Sequence, residues 1–398
     1  MEYLGSACSF AAMSLYNKRG VSAQKEEVHN AVKDLDAGLY KNAFCKIYPD
    51  YLGKDPEFVN VMHADGAGTK SILAYLYWKE TGDISVWKGI AVDAVVMNLD
   101  DLLCVGIHDN IVFNSTIDRN KKLIPGDVLK EIIDGTNELF QKLRDFGVNI
   151  HYLGGETADV GDVVRTVAVN GTMACRWPKN KLITNDKIAP GNVIVGLASF
   201  GKCNYETEYN SGIGSNGLTS ARHDALSSHY RENFPETFEP ALEKDVTYIG
   251  ASRMTDPSGV EDLPVGKLLL SPTRTFAPVI SGLLKEDHQI HGMIHCSGGG
   301  QTKCLKYLPG NMRIVKDALF SPPPVFSLLQ RNSGSSNREM YEVFNMGTRM
   351  EIYCSEDYAG KVIEMAERFN IGAQVIGRVE PSDKKELRIV LPEETLVF

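Results

Sequence analysis

The residues best suited to chemistry lie between positions 59 and 70, where the chain reads VNVMHADGAGTK. Apolar and polar residues alternate and then give way to glycines, which predicts a strand, a turn and the start of a helix. In the turn, Asp65 carries carboxylate oxygens, the kind of ligand that Mg²⁺ prefers in proteins. The stretch therefore has a candidate metal ligand at the end of a strand.

The same turn has groups that bind phosphate. Gly66 and Gly68 lack side chains, so their backbone N–H groups can approach phosphate oxygens. Thr69 and Lys70 add a hydroxyl and a positive charge, and the following helix offers its N-terminal dipole. Together they indicate metal-assisted phosphate binding, although the GxxxxGK[ST] spacing of a P-loop is absent. The alternative is a tight turn with a solvated lysine.

Three further acids belong to the next predicted helix. Apolar residues between positions 92 and 103 recur at helical spacing and predict one apolar face. At about 100° per residue, Asp93 and Asp100 project together and Asp101 lies one step further round, so acids edge the apolar stripe. They are candidate metal ligands if Asp65 lies nearby, and otherwise a solvated face.

A second glycine turn follows the strand IHYL. It contains Gly154, Gly155, Glu156 and Thr157, and it again sets exposed backbone beside a carboxylate, as a metal–phosphate group requires. The alternative is a Gly-Gly turn capped by the threonine.

The second half of the chain carries more polar turns. Ser215, Asn216 and Gly217 precede a predicted helix, and they form either an anion seat or an ordinary N-cap. A later predicted helix begins with Thr273 and Arg274, and arginine is suited to forked recognition of phosphate.

His295 precedes Gly298, Gly299 and Gly300 at a further strand-to-helix turn. Three consecutive glycines are costly unless the backbone must approach a ligand or adopt unusual dihedral angles. A single histidine is more often structural than catalytic, but one beside a phosphate-type loop is a candidate for proton transfer.

The elements that must position these residues alternate in two blocks. The first includes a predicted strand NIVFNSTI and an amphipathic helix over residues 128–146. A stretch with Pro, Lys and Asn at residues 177–191 is the best candidate boundary. Because 398 residues exceed the usual size of one hydrophobic core, we expect two domains, residues 1–180 and 181–398.

Composition argues against several classes of protein. The chain is 43% hydrophobic and 23% charged, and its net charge of −9 without a basic cluster argues against nucleic-acid binding. Its eight cysteines form no CxxC pair and are expected to be reduced thiols. With no run of about 18 apolar residues and no signal sequence, we expect a cytoplasmic protein without membrane contact.

The order of the motifs carries more information than any one of them. ADGAGTK, VDAVVMNLDDLL, LGGETAD, SNGLTSAR, SPTR, IHCSGGG and MYEVFNMG together resemble aminoimidazole ribonucleotide synthetase, the phosphoribosylformylglycinamidine cyclo-ligase family. The early motifs are shared with a wider superfamily that includes selenophosphate synthetase and the hydrogenase-maturation dehydratase. The late motifs favour the cyclo-ligase.

The resemblance implies a two-domain α/β protein of the α+β type, in which each domain is a mixed sheet packed with helices. It implies a homodimer through the sheets of the N-terminal domains, with ATP and Mg²⁺ as ligands and a ribonucleotide as small-molecule substrate. ATP would activate the formyl oxygen of formylglycinamidine ribonucleotide, the substrate's own nitrogen would attack that carbon, and phosphate would leave.

The resemblance also implies roles for the candidate residues. Those expected to hold Mg²⁺ are Asp65, Asp93, Asp101 and Glu156. Those expected to bind the nucleotide are Gly66, Gly68, Thr69, Lys70, Gly154, Gly155 and Thr157. Those expected at the ribonucleotide are Ser215, Asn216, Gly217, Thr273, Arg274, Gly298, Gly299, Gly300 and Asn345. Those expected to act in catalysis are Asp101, Lys70 and His295.

The sequence departs from the family pattern at two of its motifs. Where the family usually has a histidine before Ser-Asn-Gly, this chain has Gly214, so any role of that histidine falls to His295 or to residues 200–213. Where a second glycine is expected after Gly347, this chain has Arg349, which either reaches a phosphate or is exposed. The departures fit a divergent cyclo-ligase and equally a relative with another substrate. A non-catalytic nucleotide-binding paralogue is disfavoured because the acidic motifs are retained.

Overall fold

The computed structural model describes residues 14–22, 26–286 and 288–398. Within them, the α-helices are α1 Leu15–Lys18, α2 Glu26–Val32, α3 Lys70–Thr81, α4 Val86–Leu103, α5 Gly126–Asp145, α6 Leu218–Ala225, α7 Ser228–Asn233, α8 Val265–Leu270, α9 Ala277–Lys285, α10 Pro324–Ser333, α11 Asn337–Val343 and α12 Glu356–Glu367. The strands are β1 Ile47–Pro49, β2 Phe58–Gly66, β3 Ile111–Arg119, β4 Ile150–Asp159, β5 Val167–Pro178, β6 Val193–Ala198, β7 Pro257–Val260, β8 Leu263–Pro264, β9 Ile290–His295, β10 Met312–Lys316, β11 Thr348–Cys354, β12 Ala373–Pro381, β13 Glu386–Val390 and β14 Thr395–Val397.

The first sheet has the strand order β1-β2-β5-β3-β4. Strands β3 and β4 run parallel, and the other neighbours are antiparallel. Side chains alternate along β2, so that Val59 and Val61 are buried whereas Met62 is exposed. The buried face packs on α4 and α5.

The opposite face of this sheet, which we call the open face, carries exposed or half-exposed side chains. It includes Met62, Ala64, Val112, Leu153 and Ala174. Several of them are apolar, which is unusual for a sheet face that meets only water.

The second sheet has the strand order β14-β13-β10-β12-β6-β11-β9. Strands β10 and β13 run parallel, and the other neighbours are antiparallel. Helix α12 packs on β6 and β12. All seven residues of β11 are buried, so this strand lies inside the molecule on both of its faces.

Helix α4 lies between the first sheet and the second half of the chain. It packs against β2 and β5 and also against α3, α5 and α9. The predicted helix is present as part of α4, but the expectation that its acids edge a single apolar face is wrong. Asp93 and Asp100 are fully buried and Asp101 is 7% exposed, because α4 is a core helix that is surrounded on all sides.

The fold class expected from the sequence is confirmed, since mixed sheets are packed with helices. Helix α5 and strand β3 match their predicted elements closely. The helix expected to begin with Thr273 and Arg274 begins instead at Ala277, because Pro278 has no N–H to donate to the Arg274 carbonyl and so cannot lie further inside a helix. The division near residue 180 stays a prediction.

The seven cysteines in the described part of the chain are buried and unbridged, and Cys8 lies outside it. Across residues 14–22, 26–286 and 288–398, no helix combines the length and apolar character needed to cross a membrane.

We expect Gly135→Ala to lower the free energy of unfolding by about 1–3 kcal/mol, although alanine favours helices. A Cβ at Gly135 in α5 would stand 2.7 Å from the Lys88 Cα of α4, and backbone cannot yield as a flexible side chain does. Urea unfolding of both variants measures the effect. In the control, Gly360→Ala in α12, a Cβ meets no atom within 4 Å, so stability should rise by about 0.5–1 kcal/mol. A gain in both variants would contradict the close contact between α4 and α5.

Candidate functional site

Two of the predicted phosphate-binding turns lie against each other. The Ser215 hydroxyl donates to the Ala67 carbonyl at 3.0 Å, and the hydroxyls of Thr69 and Thr219 are 3.0 Å apart. These contacts join the turn between β2 and α3 to the turn before α6. The N-termini of both helices therefore meet at the same place.

The third glycine turn joins them. A Cβ at Gly298 would lie 3.7 Å from the Asn216 amide nitrogen. Gly300 has a φ of +50° and leaves no room for a side chain, because a Cβ there would lie 2.5 Å from the Phe344 carbonyl oxygen. The Asn345 amide donates to the carbonyls of Gly212 and Ile213, at 2.9 and 3.2 Å, and so holds the chain that leads into the second turn.

We call these segments, residues 66–69, 214–217 and 298–300, the three-turn site. Most of its residues are at least partly exposed, including Gly68, Thr69, Ser215, Asn216 and Gly298. Glycine backbone and two helix N-termini attract anions through their N–H groups and dipoles. The arrangement is therefore suited to bind phosphate groups.

Lys70 lies behind the site and points away from solvent. It is fully buried, and its ammonium donates to the Asp93 carboxylate at 2.9 Å and to the carbonyls of Gly214 and Ser271 at 3.0 and 2.6 Å. Asp93 also accepts from the Thr273 N–H and hydroxyl. The alternative of a solvated lysine is wrong, and a contact with phosphate would require Lys70 to leave these partners.

Asp101 is held by two imidazoles. One carboxylate oxygen lies 2.6 Å from the His295 Nδ1 and the other 3.1 Å from the His63 Nε2. Burial alone would raise the pKa of Asp101, but the hydrogen bonds from His295 and His63 outweigh it and hold that pKa well below its usual range. Asp101 is thus a buried carboxylate.

His295 is neutral in this arrangement. Its Nε2 lies 2.7 Å from the Arg349 Nη1, which can only donate, so Nε2 accepts and the proton lies on Nδ1. Burial and then the nearby Arg349 lower the pKa of His295, although Asp101 opposes them. Because both nitrogens are engaged and the side chain is fully buried, His295 does not face the three-turn site.

His63 is a functional candidate that the sequence analysis missed. Its Nδ1 lies 3.0 Å from the Asn98 Oδ1, and the Asn98 amide nitrogen is directed at three backbone carbonyls, which fixes that oxygen as the acceptor. Burial lowers the pKa of His63, but Asp101 and Asn98 outweigh it and the pKa is raised. Its side chain is 20% exposed, unlike that of His295. Its position two residues before Asp65, on the same strand face, was the available signal.

The four carboxylates expected to hold Mg²⁺ do not fit a single site. Both oxygens of Asp101 accept from imidazoles, and Asp93 is buried against Lys70. Within the described ranges, no three His, Cys, Asp or Glu side chains are gathered so that they could hold a metal ion. Asp65 and Glu156 are exposed.

The glycine turn predicted at residues 154–157 is wrong, since these residues lie within strand β4 and pair with β3, and they lie apart from the three-turn site. The strand register aligns Asp65 of β2 with Gly171, Ser115 and Gly155, so β2 and β4 are three strand spacings apart, roughly 14 Å. Glu156 falls in the next row and points to the opposite face of the sheet. Gly154, Gly155, Glu156 and Thr157 are all exposed on β4.

Arg274 has a structural role. It donates to the carbonyls of Ala198, Phe200 and Gly201 and forms an ion pair with Glu206. Its side chain is 1% exposed, and its N–H groups are directed at protein acceptors. A forked contact with substrate phosphate does not follow from this geometry.

Both halves of the chain match models of the same protein family. The family model for the AIR synthase related protein N-terminal domain matches residues 50–177, and that for the C-terminal domain matches residues 189–390. The phosphoribosylformylglycinamidine cyclo-ligase of Methanocaldococcus jannaschii is 30% identical over 360 residues, which cover 88% of this chain and 84% of that protein. That of Bacillus cereus strain G9842 is 30% identical over 326 residues, covering 81% and 80%.

Solved structures share the fold. A protein of Thermus thermophilus, tt0281, has a TM-score of 0.50 at 16% identity, covering 92% of this chain and 96% of that one. PurL of T. maritima complexed with FGAR has a TM-score of 0.51 at 14% identity, covering 86% of this chain. This chain spans 45% of that PurL chain.

We expect Lys70→Met to lower the free energy of unfolding by about 3–5 kcal/mol, because Asp93 is then left buried without its cation. Lys70→Met/Asp93→Asn should recover most of the loss. The control is Lys130→Met in the exposed pair with Asp134, which should cost less than about 0.5 kcal/mol. Urea unfolding measures all three. A stable Lys70→Met variant that no longer binds ATP would instead make Lys70 a phosphate ligand.

Proposed function

We propose, because this chain belongs to the AIR synthase related protein family, that it closes the imidazole ring in purine biosynthesis. The reaction converts formylglycinamidine ribonucleotide to aminoimidazole ribonucleotide and consumes ATP, with release of ADP and phosphate. The curated relatives with this activity match along most of the chain and of their own length.

The observation that carries the proposal is the three-turn site. A cyclo-ligase must hold two phosphate-bearing molecules side by side, and this site brings together three glycine turns and two helix N-termini. The turns come from both halves of the chain, so ligands bound there would be held between the two sheets. Positioning of this kind supplies much of the rate in phosphoryl transfer.

We assign the nucleotide phosphates to the turn that contains Gly66, Gly68 and Thr69. Gly68 has a φ of +56° and no atom within 4 Å of a Cβ position, so its backbone is open to a ligand. PurL of T. maritima, which shares the fold with a TM-score of 0.50, has been solved with ADP. Gly154, Gly155 and Thr157 lie on β4, three strands across the sheet from this turn, and remain predicted nucleotide contacts.

We assign the ribonucleotide to the other two turns. Ser215, Asn216 and Gly298 are partly exposed there and offer hydroxyl, amide and backbone groups. Thr273, Arg274 and Asn345 act behind these groups by holding the chain in place.

Proton transfer is assigned to His63. Ring closure moves protons between the substrate's nitrogens and oxygen. His63, like His295, has both ring nitrogens hydrogen-bonded, but its side chain is 20% exposed, so a substrate could reach it where it could not reach the fully buried His295. His295 and Asp101 act through it, since they set the position of its Nε2. We leave Mg²⁺ out of the residue assignments, apart from Asp65 at the exposed turn, because the other expected ligands do not gather around it.

We also propose that the protein is a cytoplasmic homodimer formed through the open face of the first sheet. That face carries exposed Met62 and Leu153, at 71% and 66% exposure. Tyr152 packs against Phe140 of α5, so the next residue, Leu153, points to the open side. A second copy of the same face would remove these apolar groups from water.

The function is tested by turnover of the purified protein with formylglycinamidine ribonucleotide and Mg·ATP. We expect equal amounts of ADP and aminoimidazole ribonucleotide. Mass spectrometry of the product and a coupled assay for ADP measure both. ADP formation with some other acceptor, and none with this ribonucleotide, would replace the substrate while keeping the site.

Leu153→Asp should convert the dimer to a monomer, because it replaces an exposed apolar side chain of the proposed interface with a charge. Sedimentation velocity measures the mass in solution. Ile133→Asp is the matched control, since Ile133 is 37% exposed on α5, on the other side of the sheet. A monomeric wild type, or a dimer that survives Leu153→Asp, would contradict the interface.

A further inference from the structure

Arg349 does not have the environment that either sequence expectation gave it. It lies on β11, whose residues are all buried, and it is itself 2% exposed. Burying a guanidinium is costly unless its charge and N–H groups are matched. The residues that pair with Arg349 therefore explain how a buried position on β11 can hold an arginine.

The guanidinium joins two elements from different halves of the chain. Its Nη2 donates to the Asp100 Oδ2 on α4 at 3.1 Å, and its Nη1 donates to the His295 Nε2 on β9 at 2.7 Å. The Phe276 ring lies 5.3 Å from its central carbon. Asp100 is fixed in turn by the Thr275 hydroxyl at 2.6 Å. The guanidinium is thus fixed by Asp100 through Nη2, and it fixes His295 in turn through Nη1.

We propose that Arg349 is a positioning residue for the reaction. By donating to Nε2, it fixes His295 with its Nδ1–H directed at Asp101, and it thereby orients the carboxylate that holds His63. The order of contacts is Asp100, Arg349, His295, Asp101 and His63, with one hydrogen bond or ion pair at each step. The proposal rests on the proposed function only for its effect on turnover.

The second departure from the family pattern is in contact with the first. Gly214 has a φ of +72°, and a Cβ there would lie 3.5 Å from the Arg349 Cδ. The Gly214 carbonyl also accepts from Lys70. The stem of Arg349 therefore packs beneath the turn that carries Ser215, so the same side chain supports both the buried network and the three-turn site.

The test removes the guanidinium without leaving a bare buried charge. Arg349→Met alone would strand Asp100 and endanger folding, so the main variant is Arg349→Met/Asp100→Asn. The matched control is Lys316→Met/Glu351→Gln, which removes another fully buried ion pair, with Glu351 two residues along β11. Arg349→Lys, which keeps the charge but cannot bridge both partners, is the conservative variant.

Two readouts separate positioning from mere loss of stability. Nitrogen-15 NMR of labelled histidine, with His295 assigned by a His295→Gln variant, reports the tautomer directly. We expect the Nδ1–H tautomer in the wild type and in the control, and a shifted Nε2 resonance in Arg349→Met/Asp100→Asn. Steady-state kinetics should show kcat reduced on the order of a hundredfold in that variant, with KM for ATP little changed and partial rescue by Arg349→Lys. The control should lose much less kcat, although its Lys316 bonds Gln301 beside the third turn.

An Nε2–H tautomer in the wild type would overturn the proposal, as would an unshifted Nε2 resonance in Arg349→Met/Asp100→Asn. A loss of kcat in the control as large as in that variant would also overturn it, because it would assign the effect to stability. If the wild type makes no aminoimidazole ribonucleotide, the proposed function fails, whereas the NMR result still decides whether Arg349 orients His295.

Discussion

The structure depends on the burial of three carboxylates on α4. Asp93, Asp100 and Asp101 are removed from water, and an unpaired charge in such a place would cost several kcal/mol. Each acid therefore has its own nitrogen partners, with Lys70 at the first and Arg349 at the second. The imidazoles of His295 and His63 are hydrogen-bonded to the third acid, Asp101. Arg349 and His295 come from the second sheet, and the threonines that bond Asp93 and Asp100 come from the loop before α9. Neutralising the acids of α4 therefore also fixes how the two halves of the chain meet.

The placement of the three-turn site follows from this constraint. Lys70 begins α3 and is anchored to Asp93 on one side and to the Gly214 carbonyl on the other. One buried ammonium therefore sets the distance between two glycine turns. The turns stay partly exposed while the charges that align them are sealed beneath. The exposed groups of the three-turn site are therefore free to bind ligand, while the buried charges beneath them stabilise the contact between the two halves of the chain.

The sequence predicted the elements better than their surroundings. Periodicity identified β2, β3 and α5. Glycines and small polar residues identified three turns that the fold does bring together, but the glycine turn predicted at residues 154–157 is part of β4. It could not show that the acids of α4 are buried, because their partners lie far along the chain, 180 residues from Asp93 to Thr273 and 249 from Asp100 to Arg349. His63 was missed for a related reason, since its role depends on a contact between its strand β2 and Asp101 on α4, which spacing along the sequence does not show. The family resemblance supplied the chemistry that spacing alone could not.

The separation of Asp100 and Arg349 along the chain also decides when their ion pair can form during synthesis. A ribosome adds about 5–20 residues per second, so the 249 residues between them take on the order of 10 to 50 s to make. Throughout that interval α4 carries a carboxylate that must remain hydrated. The first sheet can form its strands meanwhile, but the helix that should close one of its faces cannot settle fully in the core. The ion pair between Asp100 and Arg349 can therefore form only after β11 has been made, so the order of synthesis delays the full burial of α4.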